Sequence, residues 1–253
     1  MENTKYKILL IEDDKLDQMA FLRMVETENL PYDCTKADSI AQAKQLLQSE
    51  EFDIVVSDYS LGDGTAFDIL ESVKDTPLIL VTGAGDEAIA LKAWRAGAYD
   101  YLRKDMDRHY LKTMPITVEN AIKHRKTEQK LRLLSEAVMS TQDSVYITDE
   151  HDSIVFVNRA FCQTYGYGEK EIIGEKSAIL QNEQNGESVR QLTYHIRKDG
   201  TNFPVSLSVS PIKDENGNET AFVAVARDIS ERVLVEDKIR SINLKLTGGK
   251  HPR

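Results

Sequence analysis

Cysteine is scarce. Cys34 and Cys162 are the only two in 253 residues, and they fall in stretches of different character, which fits reduced thiols better than a disulfide framework or a zinc site. Long apolar runs are missing too. The longest, such as ILLI and LILV, are far below the ~20 residues that cross a bilayer, and the N-terminal MENTKYK lacks the apolar core of a secretory leader. Neither membrane insertion nor export is expected, and the implied location is cytoplasmic. Positive charge is in deficit, with 32 Lys and Arg against 42 Asp and Glu for a formal net charge of −10. That balance works against binding a nucleic-acid phosphate backbone. The expected partners are proteins, with no nucleic acid and no membrane.

What is present suffices for two domains of ordinary size, since 41% of the residues are hydrophobic and 29% charged and each half can fill a core. From Tyr6 to about Lys104 short apolar strands alternate with amphipathic helix patterns: YKILLIE, KLDQMAFLRMVETE, a weak strand near DCTKA, SIAQAKQLLQSE, FDIVVSD, TAFDILESVKD, LILVTG, DEAIALKAWRAG and YDYLRK. This alternation predicts a doubly wound α/β domain, a five-stranded parallel sheet with helices on both faces. A long helical pattern without glycine follows from about Pro115, PITVENAIKHRKTEQKLRLLSEAVMS. Val118, Ile122, Leu131, Leu134 and Val138 keep 3-4 spacing in it, interrupted by Arg125 and Gln129, as in a coiled-coil connector.

After Ser140 the pattern becomes antiparallel β. Asp199-Gly200 and Asn216-Gly217 are hairpin turn signals, and Phe203, Val205, Leu207 and Val209 alternate with polar or small residues. The end, ERVLVEDKIRSINLKL, returns to helix with Val235, Ile239, Ile242 and Leu246 spaced 4-3-4. The expected division is 1–125 for the α/β domain, 115–140 for a helical coiled-coil connector, 141–232 for an abbreviated α+β domain with a five-stranded antiparallel sheet, and 233–253 for a C-terminal helix and tail.

Ligands of doubly wound sheets sit at the carboxyl ends of the strands. Those ends carry Glu12 and Asp13 after the first strand, Asp58 after the third, Thr82 after the fourth and Lys104 after the fifth. Three carboxylates brought together repel one another and raise their pKa values, a conflict that a hard, oxygen-liganded cation such as Mg²⁺ resolves. A lysine and a hydroxyl beside them can hold the oxygens of a phosphoryl group, so the set suits an aspartate that attacks phosphorus and becomes an aspartyl phosphate.

The motifs LLIEDD, VVSDYSL, LVTG and AYDYLRKD together resemble the receiver domain of two-component response regulators over residues 5 to about 125. The resemblance implies that Asp58 is the phosphoacceptor and Asp13 a direct Mg²⁺ ligand. Glu12 would act mostly through metal-bound water, and the Ser60 backbone carbonyl would complete the metal's protein ligands. Thr82 and Lys104 would hold phosphoryl oxygens, and Tyr101 is the aromatic whose rotation accompanies activation. Asp105 stands where proline usually follows the lysine, which removes the residue type that makes a cis peptide accessible. The segment from Asp58 to Thr82 is shorter than usual, which should trim the third helix.

Residues 131 to 232 resemble a PAS domain through SIVFVNRAFCQTYGYGEKEIIGEKSAILQ and the closing RDISER. Its expected core is Ile154, Phe156, Phe161, Ile172, Leu207, Val209, Val223 and Val225. GEKSAILQ is similar to the flavin-binding light sensors of that family, but Ser177 replaces the photoactive cysteine, Lys176 the asparagine and Ala178 the arginine. Val205 and Ala226 stand at the flavin-facing polar positions. A hydroxyl cannot replace a thiolate in the photoadduct, so no flavin is expected. His195 reads as an ordinary strand residue and not as an axial ligand, so no haem is expected either.

These resemblances imply a response regulator of a phosphorelay. A histidine kinase or phosphotransfer protein phosphorylates Asp58, and the PAS domain and a coiled-coil homodimer pass the change to a downstream protein partner. The enzyme-class alternative is the N-terminal sensory portion of a longer hybrid histidine kinase or diguanylate cyclase. The chain contains no kinase glycine motif, no GGDEF-type signature and no basic DNA-reading helix, so no output catalysis beyond receiver self-phosphorylation and dephosphorylation is expected.

Overall fold

Residues 5–73, 75–83, 87–181 and 193–247 are described by the computed structural model, which divides into two units, Met1–Leu131 and Arg132–Arg253. In the first, strands β1 (Tyr6–Ile11), β2 (Tyr32–Ala37), β3 (Ile54–Asp58), β4 (Leu78–Thr82) and β5 (Asp100–Arg103) form one sheet in the order β2-β1-β3-β4-β5, with every pairing parallel. The central strands carry unbroken apolar runs, Ile8–Ile11, Ile54–Val56 and Leu78–Val81, because both of their faces are covered. Leu9, Ile11, Val55 and Leu80 point to one side, into a core shared with Ile40 and Ala43 of helix α2 (Ile40–Ser49). Ile8, Leu10, Val56 and Val81 point to the other, against Phe21 and Met24 of helix α1 (Lys15–Thr27).

The segment expected as a third α-helix is instead a 3-10 helix, Ala66–Val73, preceded by a two-residue hairpin of Ser60–Leu61 with Gly64–Thr65. The shortened connection accounts for this. A 3-10 helix rises ~2.0 Å per residue against ~1.5 Å for an α-helix, so it spans the sheet with fewer residues. Helix α3 (Glu87–Arg95) then leads into β5.

Helix α4 runs from Tyr110 to Ser140, so it begins before the expected start at Pro115, which lies inside it. Asp105 explains the earlier start, because its Oδ1 accepts from the His109 backbone N–H at 2.7 Å and satisfies a donor at the helix entrance. The first part of the seam expected along this helix, ahead of the interruption at Arg125 and Gln129, is corrected. Val118 and Ile122 are buried in the first unit's own core with Met114, so they are closed to a second chain. Leu131 and Leu134 are exposed.

Arg125, which reads in the sequence as a polar break in that seam, fastens the helix to its own unit. Its Nη1 donates to the carbonyls of Phe52 at 2.9 Å and Asp53 at 3.2 Å, while its buried Nε has no partner among the described residues. Arg125→Met is expected to lower the first unit's unfolding free energy by about 1.5–3 kcal/mol, the range for hydrogen bonds that involve a charged group. A denaturant midpoint unchanged from wild type would show that the clamp contributes nothing.

In the second unit β6 (Ser144–Asp149), β7 (Ile154–Val157), β8 (Thr193–Ile196), β9 (Asn202–Lys213) and β10 (Glu219–Asp228) form an antiparallel sheet in the order β8-β9-β10-β6-β7. Both turn signals form hairpins. Gly200 and Gly217 have φ of +86° and +85°, a region open to glycine at no steric cost, and the Asp214 carboxylate accepts from the Asn216 and Asn218 N–H groups. Helix α5 (Arg159–Tyr165) is capped by the buried Asn158, whose side chain also accepts from Val145 N–H and donates to the Val138 and Asp143 carbonyls. The short helix α6 (Glu169–Ile172) follows, and helix α7 (Ser230–Thr247) closes the described chain. Val235, Ile239 and Ile242 are exposed on it; the side chain of Leu246 lies outside the described residues.

Ile154, Phe161 and Ile172 are in the second core as expected, and Leu207 packs against it. Four of the expected core residues are corrected. Val209 is 54% exposed, because β9 outruns the core. Val223 and Val225 lie on the opposite face of β10 from the core, which is met by Ala224 and Ala226. Neighbouring strand residues point to opposite faces, so hydrophobicity alone placed the wrong pair inside. Phe156 likewise pairs with Ile147, outside that core. Cys34 and Cys162 are free and half-buried, and burial pushes the Cys34 thiol up to about 11.

Candidate functional site

The carboxyl ends of β1, β3 and β5 converge because the strands are parallel and adjacent. β1 continues past Ile11 far enough for the Glu12 N–H to bond the Ala37 carbonyl at 3.0 Å, which leaves Glu12 buried at the sheet end. Asp13 is exposed, and its Oδ2 accepts from the Gly62 N–H at 3.0 Å. The next acid, Asp14, faces away from this edge as the N-cap of α1 and accepts from the Leu16 and Asp17 N–H groups. Ligand oxygens of Glu12, Asp13 and Asp58 all lie within 4.8 Å of one another. This oxygen-only set fits a hard divalent cation.

Lys104 follows β5, where its N–H bonds the Thr82 carbonyl at 2.7 Å. Its Nζ lies 2.7 Å from Glu12 Oε2, 2.9 Å from Asp58 Oδ2 and 3.0 Å from Asp17 Oδ2. Burial works against the ammonium's charge, but the hydrogen bonds to Glu12, Asp58 and Asp17 outweigh it and hold the lysine's pKa well above its ordinary value. Burial raises the Glu12 carboxyl, and the bond from Lys104 opposes that only in part. The pairs are mostly sheltered, with the Lys104, Glu12 and Asp58 side chains each less than one-fifth exposed, so solvent screens them weakly.

The structure therefore brings Glu12, Asp13, Asp58 and Lys104 together. Thr82 is buried at the end of β4, with its Oγ1 3.4 Å from the Gly83 carbonyl. Ser60 lies two residues after Asp58, in the short hairpin opposite Thr65. Tyr101 is exposed on β5, opposite Leu80 of β4. No cis peptide occurs among the described residues, and the Lys104–Asp105 bond is trans. Asp17 escaped the sequence reading. It sits in the first turn of α1, and its two oxygens serve Lys104 and Arg108. The signal available was an acid three residues after a helix-capping aspartate.

In the second unit Ser177 Oγ donates to Asp152 Oδ1 at 2.6 Å, and Lys176 Nζ reaches the Ser153 hydroxyl at 3.2 Å. Val205 and Ala226 lie in the core. Phe161 and Tyr165 stack with centroids 4.4 Å apart, and Phe203 meets Tyr165 edge-on at 5.2 Å. His195 is a buried member of this aromatic group, its Nδ1 2.6 Å from the Tyr165 hydroxyl. Burial drops its pKa to about 4 and drives that of Tyr165 upward, so the hydroxyl donates, Nδ1 accepts, and the imidazole is neutral with its proton on Nε2.

A parallel sheet ending in clustered carboxylates beside a lysine can be compared with known families. Residues 8–115 match the response regulator receiver domain and residues 142–231 the PAS domain: the chain carries a receiver domain followed by a PAS domain.

Among curated relatives, it is 25% identical over 250 residues to the bacterioopsin transcriptional activator of Halobacterium salinarum (83% of this chain, 36% of that protein). It is 30% identical over 112 residues to the response regulator protein PilR of Pseudomonas aeruginosa (43% and 25%). With the sensory transduction protein LytT of Bacillus subtilis it shares 27% over 231 residues (79% and 94%). The chain thus spans well under half the length of the first two. Among the described residues no helix is long and apolar enough to cross a membrane.

Proposed function

We propose that this chain is a phosphorelay response regulator that accepts a phosphoryl group on Asp58 from a histidine kinase or phosphotransfer protein. The observation that carries the reading is the Lys104 ammonium on Asp58 Oδ2 beside the Glu12–Asp13–Asp58 oxygen cluster. Asp58 supplies the attacking oxygen: a P–O bond forms as the bond from phosphorus to the donor breaks, and the donor's leaving nitrogen or oxygen takes the electron pair. Glu12, Asp13, Asp58 and the Ser60 carbonyl would hold Mg²⁺, which supplies charge neutralisation for the phosphoryl oxygens. Thr82 and Lys104 bind those oxygens, and Lys104 offsets negative charge as it builds up.

The output runs through protein contacts. Exposed Leu131 and Leu134 on α4, and Val235, Ile239 and Ile242 on α7, leave apolar area in water at about 25 cal/mol per Å², which favours pairing in a homodimer. The receiver part of the expected seam is spent on its own core, so the dimer contact falls on the second half of α4 and on α7. The downstream partner is a protein, and the protein acts in the cytoplasm.

The test is labelling by a small phosphodonor with Mg²⁺, with the modified residue located by mass spectrometry. A label on the peptide containing Asp58, lost in Asp58→Asn, is the expected result. No label, or a label elsewhere that survives in Asp58→Asn, would sink the assignment.

A further inference from the structure

The connection between β5 and α4 is fastened to the acceptor site by a side chain outside the expected site. Asp17 spans the two. Its Oδ2 lies 3.0 Å from Lys104 Nζ and its Oδ1 accepts from Arg108 Nη2 at 3.0 Å. Arg108 stands two residues before α4 in a left-handed backbone conformation, φ +55°, which a side-chain-bearing residue adopts at a cost. It is held there by its own N–H on the Asp105 carbonyl and by the bond to Asp17. Asp105 in turn accepts from the His109 N–H, and Lys112 N–H bonds the His109 carbonyl. The first turn of α4 and the acceptor thus share one chain of bonds through Asp17.

We propose that Asp17 is a positioning residue, which sets Lys104 at Asp58 and, through Arg108, ties the acceptor to the first turn of α4. The inference rests on the phosphorylation of Asp58 proposed above. An ammonium has three N–H donors; it donates to Glu12 and Asp58, and Asp17 holds it in an ion pair at 3.0 Å. Phosphoryl oxygens lie beyond the carboxyl that carries them. To reach one, Nζ must move outward, and it cannot keep three carboxylates within bonding distance as it moves. Asp17 is the partner released most cheaply, because it makes the longest of the three contacts and has Arg108 as a second cation. Once free of Lys104, Asp17 pairs with Arg108 alone, and the link that holds Arg108 in its strained conformation is redistributed. A change at Asp58 reaches the entrance of α4 by this route.

The experiment is hydrogen–deuterium exchange on the full chain in Mg²⁺, with and without beryllium fluoride as the phosphoryl mimic. Asp17→Asn, Asp17→Glu and Arg108→Gln are compared with wild type, and phosphodonor labelling is measured in parallel. Wild type is expected to change its exchange over His109–Lys112 on adding the mimic. Asp17→Asn and Arg108→Gln should lose that response; the label still goes to Asp58, whose metal ligands are intact, but more slowly in Asp17→Asn, where Lys104 has lost a positioning contact. Asp17→Glu, which keeps the charge, should retain it in part, a rescue that a merely space-filling role would not give. A response in Asp17→Asn equal to wild type overturns the tie, as does a wild type that labels but shows no change at this turn. Failure of wild type to label at Asp58 removes the underlying assignment instead, and the two failures are read from different measurements.

Discussion

Without divalent cation, Lys104→Ala is expected to cost the receiver about 3–5 kcal/mol at neutral pH, the effect of stripping one partner from a sheltered ion cluster. Glu12, Asp58 and Asp17 all contact the ammonium at 3.0 Å or less, and Asp13 stands within 4.8 Å of Glu12 and Asp58. Removing the lysine leaves four carboxylates close together, with Arg108 on Asp17 at the rim.

Two treatments should restore stability. Mg²⁺ should rescue the variant more than it stabilises wild type, because it supplies the missing positive charge where the repulsion is largest. Acid should narrow the deficit, since the Glu12 carboxyl is already raised by burial in the wild type and loses its partner in the variant. Trp94, the single tryptophan, lies in α3 of the receiver and reports the unfolding of that unit by fluorescence. If Mg²⁺ stabilises variant and wild type equally, Lys104 is not the neutralising charge of this cluster.

The second large effect belongs to the PAS domain and depends on pH. His195 titrates near 4 in the folded state, where burial excludes its charged form, against 6.5 for the free side chain. Above 6.5 neither state holds the extra proton, so the contribution to stability is flat. Between 6.5 and about 4 the unfolded chain binds a proton that the folded chain refuses, and stability falls as pH drops. The slope is one proton, ~1.4 kcal/mol per pH unit, for a total of about 3 kcal/mol. Below 4 both states are protonated and the term is flat again. A proton on Nδ1 would also confront the Tyr165 hydroxyl that now donates to it. His195→Gln keeps a polar partner for Tyr165 and removes the titration. Its stability should be flatter over that window, as measured by near-ultraviolet circular dichroism of the tyrosines during urea unfolding. A variant whose pH profile parallels the wild type would exonerate His195.

Much of the architecture is legible in the sequence for reasons that can be stated residue by residue. Strands β1, β3 and β4 are apolar on both faces, and only a covered parallel sheet makes use of that. Asp199-Gly200 and Asn216-Gly217 mark turns by backbone chemistry that few other residue pairs supply. The strand-end acids are legible because parallel order brings Glu12, Asp13 and Asp58 to one edge whatever the helices do.

Other features depend on what covers a surface, which periodicity does not say. Val118 and Ile122 have the spacing of a seam between chains and serve their own core. Arg125 has the look of an interruption and is a clamp. Val223 and Val225 are the more hydrophobic pair in β10, yet the strand's alternation turns Ala224 and Ala226 inward, into the core that holds Tyr146 and Phe161. Asp17 was hidden for a related reason. It comes from a helix turn and not a strand end, and both cations it binds arrive from the far end of the domain's sequence.

The aromatic group inside the PAS domain bears on how that domain can be controlled. A fold completed by a small molecule has a stability that rises with the logarithm of the ligand's concentration, so its population follows the supply of that compound. Here Phe161, Tyr165, His195 and Phe203 hold one another in ring contact, and these partners are covalently part of the chain at a fixed stoichiometry of one. Those ring contacts therefore carry no concentration term of their own, and they change when something alters the rings or the proton on His195.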